Sequence, residues 1–133
     1  QMPEVNWLAV LAAAISSFLL GGLWYSPLMF QKAWQRAAGL SEEQLQKGAH
    51  PGKVFGGAFV LSLMAAATFA MFLGKLPVAT ATAYGACAGI FWVAASFGIN
   101  YLFERKPFCL FLVNGGYHAL QFTLFGLILG LWH

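Results

Sequence analysis

Charge is what this chain has least of. Of its 133 residues, 8% are Asp, Glu, Lys or Arg and 60% are hydrophobic. An ordinary soluble domain is about 25% charged, so a normally wetted surface is excluded. The eleven charged side chains (7 basic and 4 acidic) leave charge-free runs over 5–31, 54–74, 76–103 and 107–133. Each run exceeds the roughly 20 helical residues that cross a hydrocarbon core. Strict polar–apolar alternation is also missing, which excludes barrel strands and leaves helices as the way to satisfy the backbone in lipid. The reading is an all-α, antiparallel bundle of four transmembrane helices in a single membrane domain over 1–133, with spans at 5–27, 54–73, 79–103 and 109–131.

Other absences narrow the chemistry. Two cysteines, Cys87 and Cys109, are too few for a disulfide framework, and their expected depths put them too far apart to bridge. No phosphate loop, dinucleotide fingerprint or nucleophile–base–orienter arrangement appears, so no catalytic residue and no cofactor is assigned. His118 has no His, Cys or carboxylate three or four residues away, which argues against a metal site within one chain. The first run has no basic segment before it and is too long for a signal-peptide core. No aromatic–basic interleaving suggests nucleic acid.

Proline and charge mark the ends of the runs. Pro3, Pro27, Pro51, Pro77 and Pro107 stand at or near run boundaries, where a missing N–H costs least. With four spans, both termini and the 74–78 turn share one side, which carries Lys75. The other side carries Lys32, Arg36, Lys47, Lys53, Arg105 and Lys106. The positive-inside rule then places 28–53 and 104–108 in the cytoplasm and both termini outside the inner (plasma) membrane. The net charge of +3 suits anionic headgroups on that face. In the long loop, Phe30, Trp34 and Ala37 lie opposite Lys32 and Arg36, as in a short helix in the headgroup plane. "SEEQLQKG" (41–48) then opens with Ser41 and Gln44 as a capping box and ends on Lys47 and Gly48.

Small residues recur at four-residue steps: Gly52/Gly56, then Ala81, Gly85 and Gly89, then Gly126 and Gly130. Such rows let helix backbones touch, within the chain or between copies, and a homo-oligomer through these Gly/Ala faces is expected. Gly115 and Gly116, early in the fourth run, read as close packing.

The polar residues of the spans gather around one hairpin, "INYLFERKPFCLFLVNGGYH" (99–118). At α-helical spacing, Gly85, Gly89, Trp92 or Val93, Ser96, Asn100 and Glu104 share one face of the third span. Asn114, His118 and Gln121 share a face of the fourth. Counted from the turn, Asn100 and Asn114 lie at similar depth, Ser96 and His118 one turn deeper, and Tyr25 arrives from the first span. Such a layer is either interhelical hydrogen-bond packing or a binding site for a small polar ligand, ion or proton. The second reading leans on His118, a histidine having an ordinary pKa near 6.5, and on Glu104. Candidate ligand-binding residues are His118, Asn114, Asn100, Tyr25, Tyr117, Ser96, Gln121 and Glu104. Glu104 alternatively pairs with Arg105 and Lys106 in water.

The stretches "NWLAV", "GGLWYSPLMFQKAW", "INYLFERKP" and "NGGYH", in this order, resemble the bacterial membrane family catalogued as domain of unknown function 1761. The likeness covers nearly the whole chain. It implies a small four-span membrane protein, brings no activity with it, and places Trp24, Tyr25, Pro27, Asn100, Tyr101, Asn114, Tyr117 and His118 at motif positions. The leading functional expectation is a ligand- or ion-binding or transport module embedded in the bilayer. An accessory subunit of a larger membrane complex is the alternative, and an intramembrane enzyme or haem or quinone binder the third.

Overall fold

A computed structural model describes residues 5–41, 43–44 and 51–133. The helices are α1 (Trp7–Trp24), α2 (Gln31–Ala38), α3 (Pro51–Leu73), α4 (Val78–Cys87), α5 (Ala95–Phe103) and α6 (Phe108–Leu131). The segment Ala88–Ala94 joins α4 to α5 as a π-helix, making one continuous span over Val78–Phe103. Among the described residues, four helices are thus long and apolar enough to cross a membrane: α1, Gly52–Leu73 of α3, Val78–Phe103 and α6. The chain is a membrane protein of the all-α, four-helix class.

Local chemistry sets the ends. Asn6 caps α1, its side chain accepting from the N–H groups of Leu8 (3.1 Å) and Ala9 (3.3 Å), which satisfies two of the orphan donors of a first turn. α1 stops at Trp24 because the chain turns sharply before Pro27. Phe30 N–H donates to the Trp24 carbonyl at 3.0 Å and Gln31 N–H to the Ser26 carbonyl at 3.2 Å. α2 ends on Gly39 in the left-handed region (φ 72°), and Gly74 after α3 has φ 60°. Arg105 after α5 takes the same conformation at φ 58°, where a side chain costs about 1–2 kcal/mol. Ser41 and Gln44 form the reciprocal capping box: Ser41 N–H donates to Gln44 Oε1 (2.8 Å) and Gln44 N–H to Ser41 Oγ (3.2 Å). The expected end of that helix at Lys47 and Gly48 lies outside the described residues, as does His50.

Val5 and Asn6, Gly74, and Trp132 and His133 border one shallow cavity, so the start of α1, the C-terminus and the α3–α4 turn share an end. Lys32, Arg36, Lys53, Arg105 and Lys106 lie toward the opposite, basic end. The two halves differ. The half near the termini is filled by an apolar core of Ala9, Val10, Ala13, Ala66, Phe69, Ala70, Ala81, Phe125 and Leu129. The side-chain hydrogen bonds between helices lie from the middle of the bundle toward the basic end. α3 follows this division: it packs well near Phe69, but Gly52–Ala58 is exposed throughout, touching α1 through Phe55 and Phe59 on Phe18.

The glycine rows of α4 and α6 are used within the chain. A Cβ at Gly85 would run into the Phe122 carbonyl, and one at Gly126 into the Ala81 carbonyl. One at Gly89 would sit 2.7 Å from the His118 carbonyl. The backbones are therefore in contact, gaining dispersion that lipid would not supply. Gly115 and Gly116 split the work: a Cβ at the first would meet Ala94 Cβ at 3.2 Å, and at the second Trp24 Cζ2 at 3.0 Å. α6 is thereby clasped between the third span and α1. By contrast, Gly56 and Gly57 of α3 have nothing within 4 Å. Cys87 and Cys109 are free and exposed.

Candidate functional site

Within the polar half, α1 and α6 are joined by a hydrogen-bond chain with a defined direction. His118 Nδ1 lies 2.6 Å from Gln121 Oε1. An amide oxygen only accepts, so Nδ1 carries the proton. Gln121 Nε2 donates to Ser17 Oγ at 2.8 Å. Ser17 Oγ is 3.1 Å from Tyr117 Oη, while Tyr117 donates its own proton to the Ser17 carbonyl at 3.0 Å. The Ser17 hydroxyl therefore donates to Tyr117, and the chain runs His118, Gln121, Ser17, Tyr117, backbone. Ser17 is fully buried and Gln121 nearly so, which demands this satisfaction: an unpaired polar group here would cost about 1–3 kcal/mol.

The His118 ring is fixed on two sides. Phe97 of α5 stacks on it at 4.9 Å between centroids and 12° between planes, and Tyr117 meets it edge-on at 4.8 Å. With Nδ1 protonated, Nε2 presents a lone pair. Nε2 has no hydrogen-bond partner among the described residues. Since no fully buried side-chain nitrogen or oxygen among them is unpaired, this atom is not fully enclosed, and His118 as a whole is half-buried. His118 shares a face of α6 with Phe122, which contacts Phe69 of α3.

A second chain lies nearer the basic end. Tyr25 Oη donates to Asn114 Oδ1 at 2.6 Å, and Asn114 Nδ2 donates to Tyr101 Oη at 2.7 Å. Trp24 Nε1 donates to the Val113 carbonyl at 2.8 Å, and Trp34 of α2 meets Tyr25 edge-on at 5.9 Å. Tyr25 and Tyr117, 5.6 Å apart, bring the two chains together. The indole and phenols anchor α1 and α2 on α6 while keeping their polar ends paired.

Of the eight residues singled out in the sequence, His118, Gln121, Tyr117, Asn114 and Tyr25 come together. Ser96, Asn100 and Glu104 do not: all three are exposed, and Ser96 Oγ bonds the Trp92 carbonyl of its own helix at 2.7 Å. The reason is the π-helix. Ala95 N–H reaches back five residues to the Ile90 carbonyl, so one extra residue enters that turn. The inward face runs Ala81, Gly85, Gly89, then Ala94 after a step of five, then Phe97, Gly98 and Tyr101. A regular α-helix would have carried it through Val93, Ser96 and Asn100. Phe97 and Tyr101 therefore stand where Ser96 and Asn100 were expected.

Ser17 and Phe97 are the residues of this cluster that spacing did not single out. Ser17 shares four-residue steps with Gly21 and Tyr25, and a search for polar residues on the face of α1 bearing Tyr25 finds it. Phe97 has no such signal, because only the π-turn brings it inward. Among the described residues, no three His, Cys, Asp or Glu side chains converge on a metal site.

No curated protein and no solved structure matches this sequence. A family model described as "Protein of unknown function (DUF1761)" matches residues 8–130. That match takes in both hydrogen-bond chains, the π-turn and the two glycines that clasp α6, and the chain belongs to the DUF1761 family of proteins of unknown function.

Proposed function

We propose that the protein is a membrane-embedded binding module in which His118 Nε2 accepts a proton or a hydrogen bond from a small polar molecule. One observation carries this reading: Gln121 fixes the tautomer, two rings fix the plane, and the remaining lone pair is left unclaimed at a position that is not fully enclosed. Orienting an imidazole through its other nitrogen is how proteins prepare a histidine to bind. Hydrogen-bond packing alone explains Ser17, Tyr117 and Gln121, but gives no use to Nε2. The ligand is a donor: a protonated amine, a hydroxyl compound or a proton in transit. By the positive-inside rule, the basic end and the site face the cytoplasm and the termini lie outside.

The test is native mass spectrometry from mild detergent, comparing wild type with His118→Phe, which keeps a ring beside Phe97 and removes the acceptor. A non-lipid adduct on wild type that is lost in the variant supports the reading. Identical spectra for two equally folded proteins contradict it.

Self-association is a second part of the proposal. It is favoured by the exposed face of α3 from Gly52 to Ala58, where Gly56 and Gly57 stand open and a second copy of α3 could approach closely. Gly56→Cys should then cross-link between chains in the bilayer. A chain that stays monomeric and uncross-linked counts against it, and co-purification of a different protein points to the accessory-subunit reading.

A further inference from the structure

We infer that the hairpin between α5 and α6 holds one anionic phospholipid, its acyl chain in a groove between the two helices and its phosphate at Lys106. The groove opens on the outer surface of the bundle at the basic end and has a volume of about 360 Å³, within the roughly 300–1,000 Å³ range of small-ligand sites. Its walls are almost wholly apolar, including Ile99, Leu102 and Phe111. Lys106, at one end, is the lone charged residue among them. An apolar trough closed by a cation matches an acyl chain that ends in a phosphate.

Two features distinguish this trough from ordinary lipid-facing surface. Gly98 forms part of its wall, and a Cβ there would sit 2.9 Å from Phe111 Cε1. The glycine therefore lets the Phe111 ring lean across and leaves the trough its depth. Tyr101 also lines the groove. Its hydroxyl oxygen already accepts from Asn114 Nδ2 at 2.7 Å, which aims it, and its proton has no acceptor among the described residues. The Tyr25–Asn114–Tyr101 chain thus ends in an unused donor on a residue of the groove wall, and a phosphate or ester oxygen would supply its acceptor. The charges of the turn are Glu104, Arg105 and Lys106. Of these, Lys106 borders the trough, and its backbone N–H donates to the Tyr101 carbonyl at 2.9 Å, which fixes the backbone of the turn between the two residues.

The probes are phosphatidylglycerol and phosphatidylcholine with identical acyl chains, added to the full chain in detergent and counted by native mass spectrometry. Wild type should retain one phosphatidylglycerol in preference to phosphatidylcholine. Lys106→Gln should lower that retention about fivefold, the usual effect of one basic residue near an anionic headgroup. Ile99→Trp, which fills the trough from its lipid-facing wall, should remove the bound lipid whatever its headgroup. Lys32→Gln deletes the same charge at the same end of the molecule, away from the groove, and should leave retention unchanged. Equal retention of the two lipids by wild type would overturn the inference. So would a loss in Lys32→Gln as large as that in Lys106→Gln, because a diffuse basic field would then account for the binding.

Discussion

The rings of Phe97 and His118 stack 4.9 Å apart and 12° from parallel, and they can do so because Ala88–Ala94 is π-helical. Five and six residues earlier in the span, Trp92 and Phe91 are exposed. One extra residue in that turn rotates everything after it. The inward face before the turn is made of small residues that let α4 lie against α6. The face after it is aromatic and builds the site.

Deleting Phe91 tests this directly. Its side chain is exposed, and removing one residue between Gly89 and Ala94 converts the step of five into a step of four. The same residues then face inward on a regular α-helix, so the deletion variant should fold and retain the Tyr101–Asn114 contact. Insertion of an alanine at the same place should rotate α5 further and unfold or loosen the hairpin. Thermal unfolding of the two variants in the same detergent checks the contrast.

Substitutions on the two faces of α5 should separate just as clearly. Ser96→Ala and Asn100→Ala touch exposed side chains and should change stability by no more than about 0.5 kcal/mol. Tyr101→Phe removes the acceptor of Asn114 Nδ2 and should cost about 0.6–2 kcal/mol, the range for interhelical hydrogen bonds in membranes. Chemical or thermal unfolding of the three variants side by side is the measurement.

Most of the fold was legible because it depends on length and polarity. Charge-free runs, flanking prolines and the Ser41–Gln44 pairing each act locally, and a sequence states local facts openly. The fourth-span half of the site was legible for the same reason: Asn114, His118 and Gln121 sit on an unbroken α-helix, where spacing maps faithfully to a face. The third-span half was not. Counting by threes and fours led to Ser96, Asn100 and Glu104, and nothing in "AGIFWVA" (88–94) announces a π-turn. That turn is a tertiary compromise: Gly85 and Gly89 are pinned to the α6 backbone while Ala94 is pinned to Gly115. The glycine rows themselves were visible, but which of them face inward depended on the packing.

Two glycine substitutions should give opposite signs. Gly85→Ala places a methyl group against the Phe122 carbonyl. Backbone cannot yield as a side chain can, so a loss of about 1–3 kcal/mol or more is expected from overpacking. Within a single chain, a Cβ at Gly56 meets nothing within 4 Å, so Gly56→Ala should stabilise α3 of the monomer by roughly 0.5–1 kcal/mol through helix propensity alone. Melting temperatures in one detergent check both. In the oligomer proposed through this face of α3, the same methyl group should weaken association.

The cap of α1 offers a further check. Asn6→Ala removes an acceptor for two N–H groups and should cost about 1 kcal/mol. Asn6→Asp should restore the loss, since a carboxylate caps equally well and favours the positive end of the helix dipole. Hydrogen exchange at the first turn of α1 reports the effect locally.

The functional account rests on the tautomer of His118, and nitrogen-15 NMR of histidine-labelled protein in lipid nanodiscs reads it directly. The predicted result is a protonated Nδ1 and an unprotonated Nε2 for His118 at neutral pH, with the preference lost in Gln121→Leu. A protonated Nε2 with a bare Nδ1 in wild type would contradict the account, because the lone pair would then be spent on Gln121 and none would remain for a ligand.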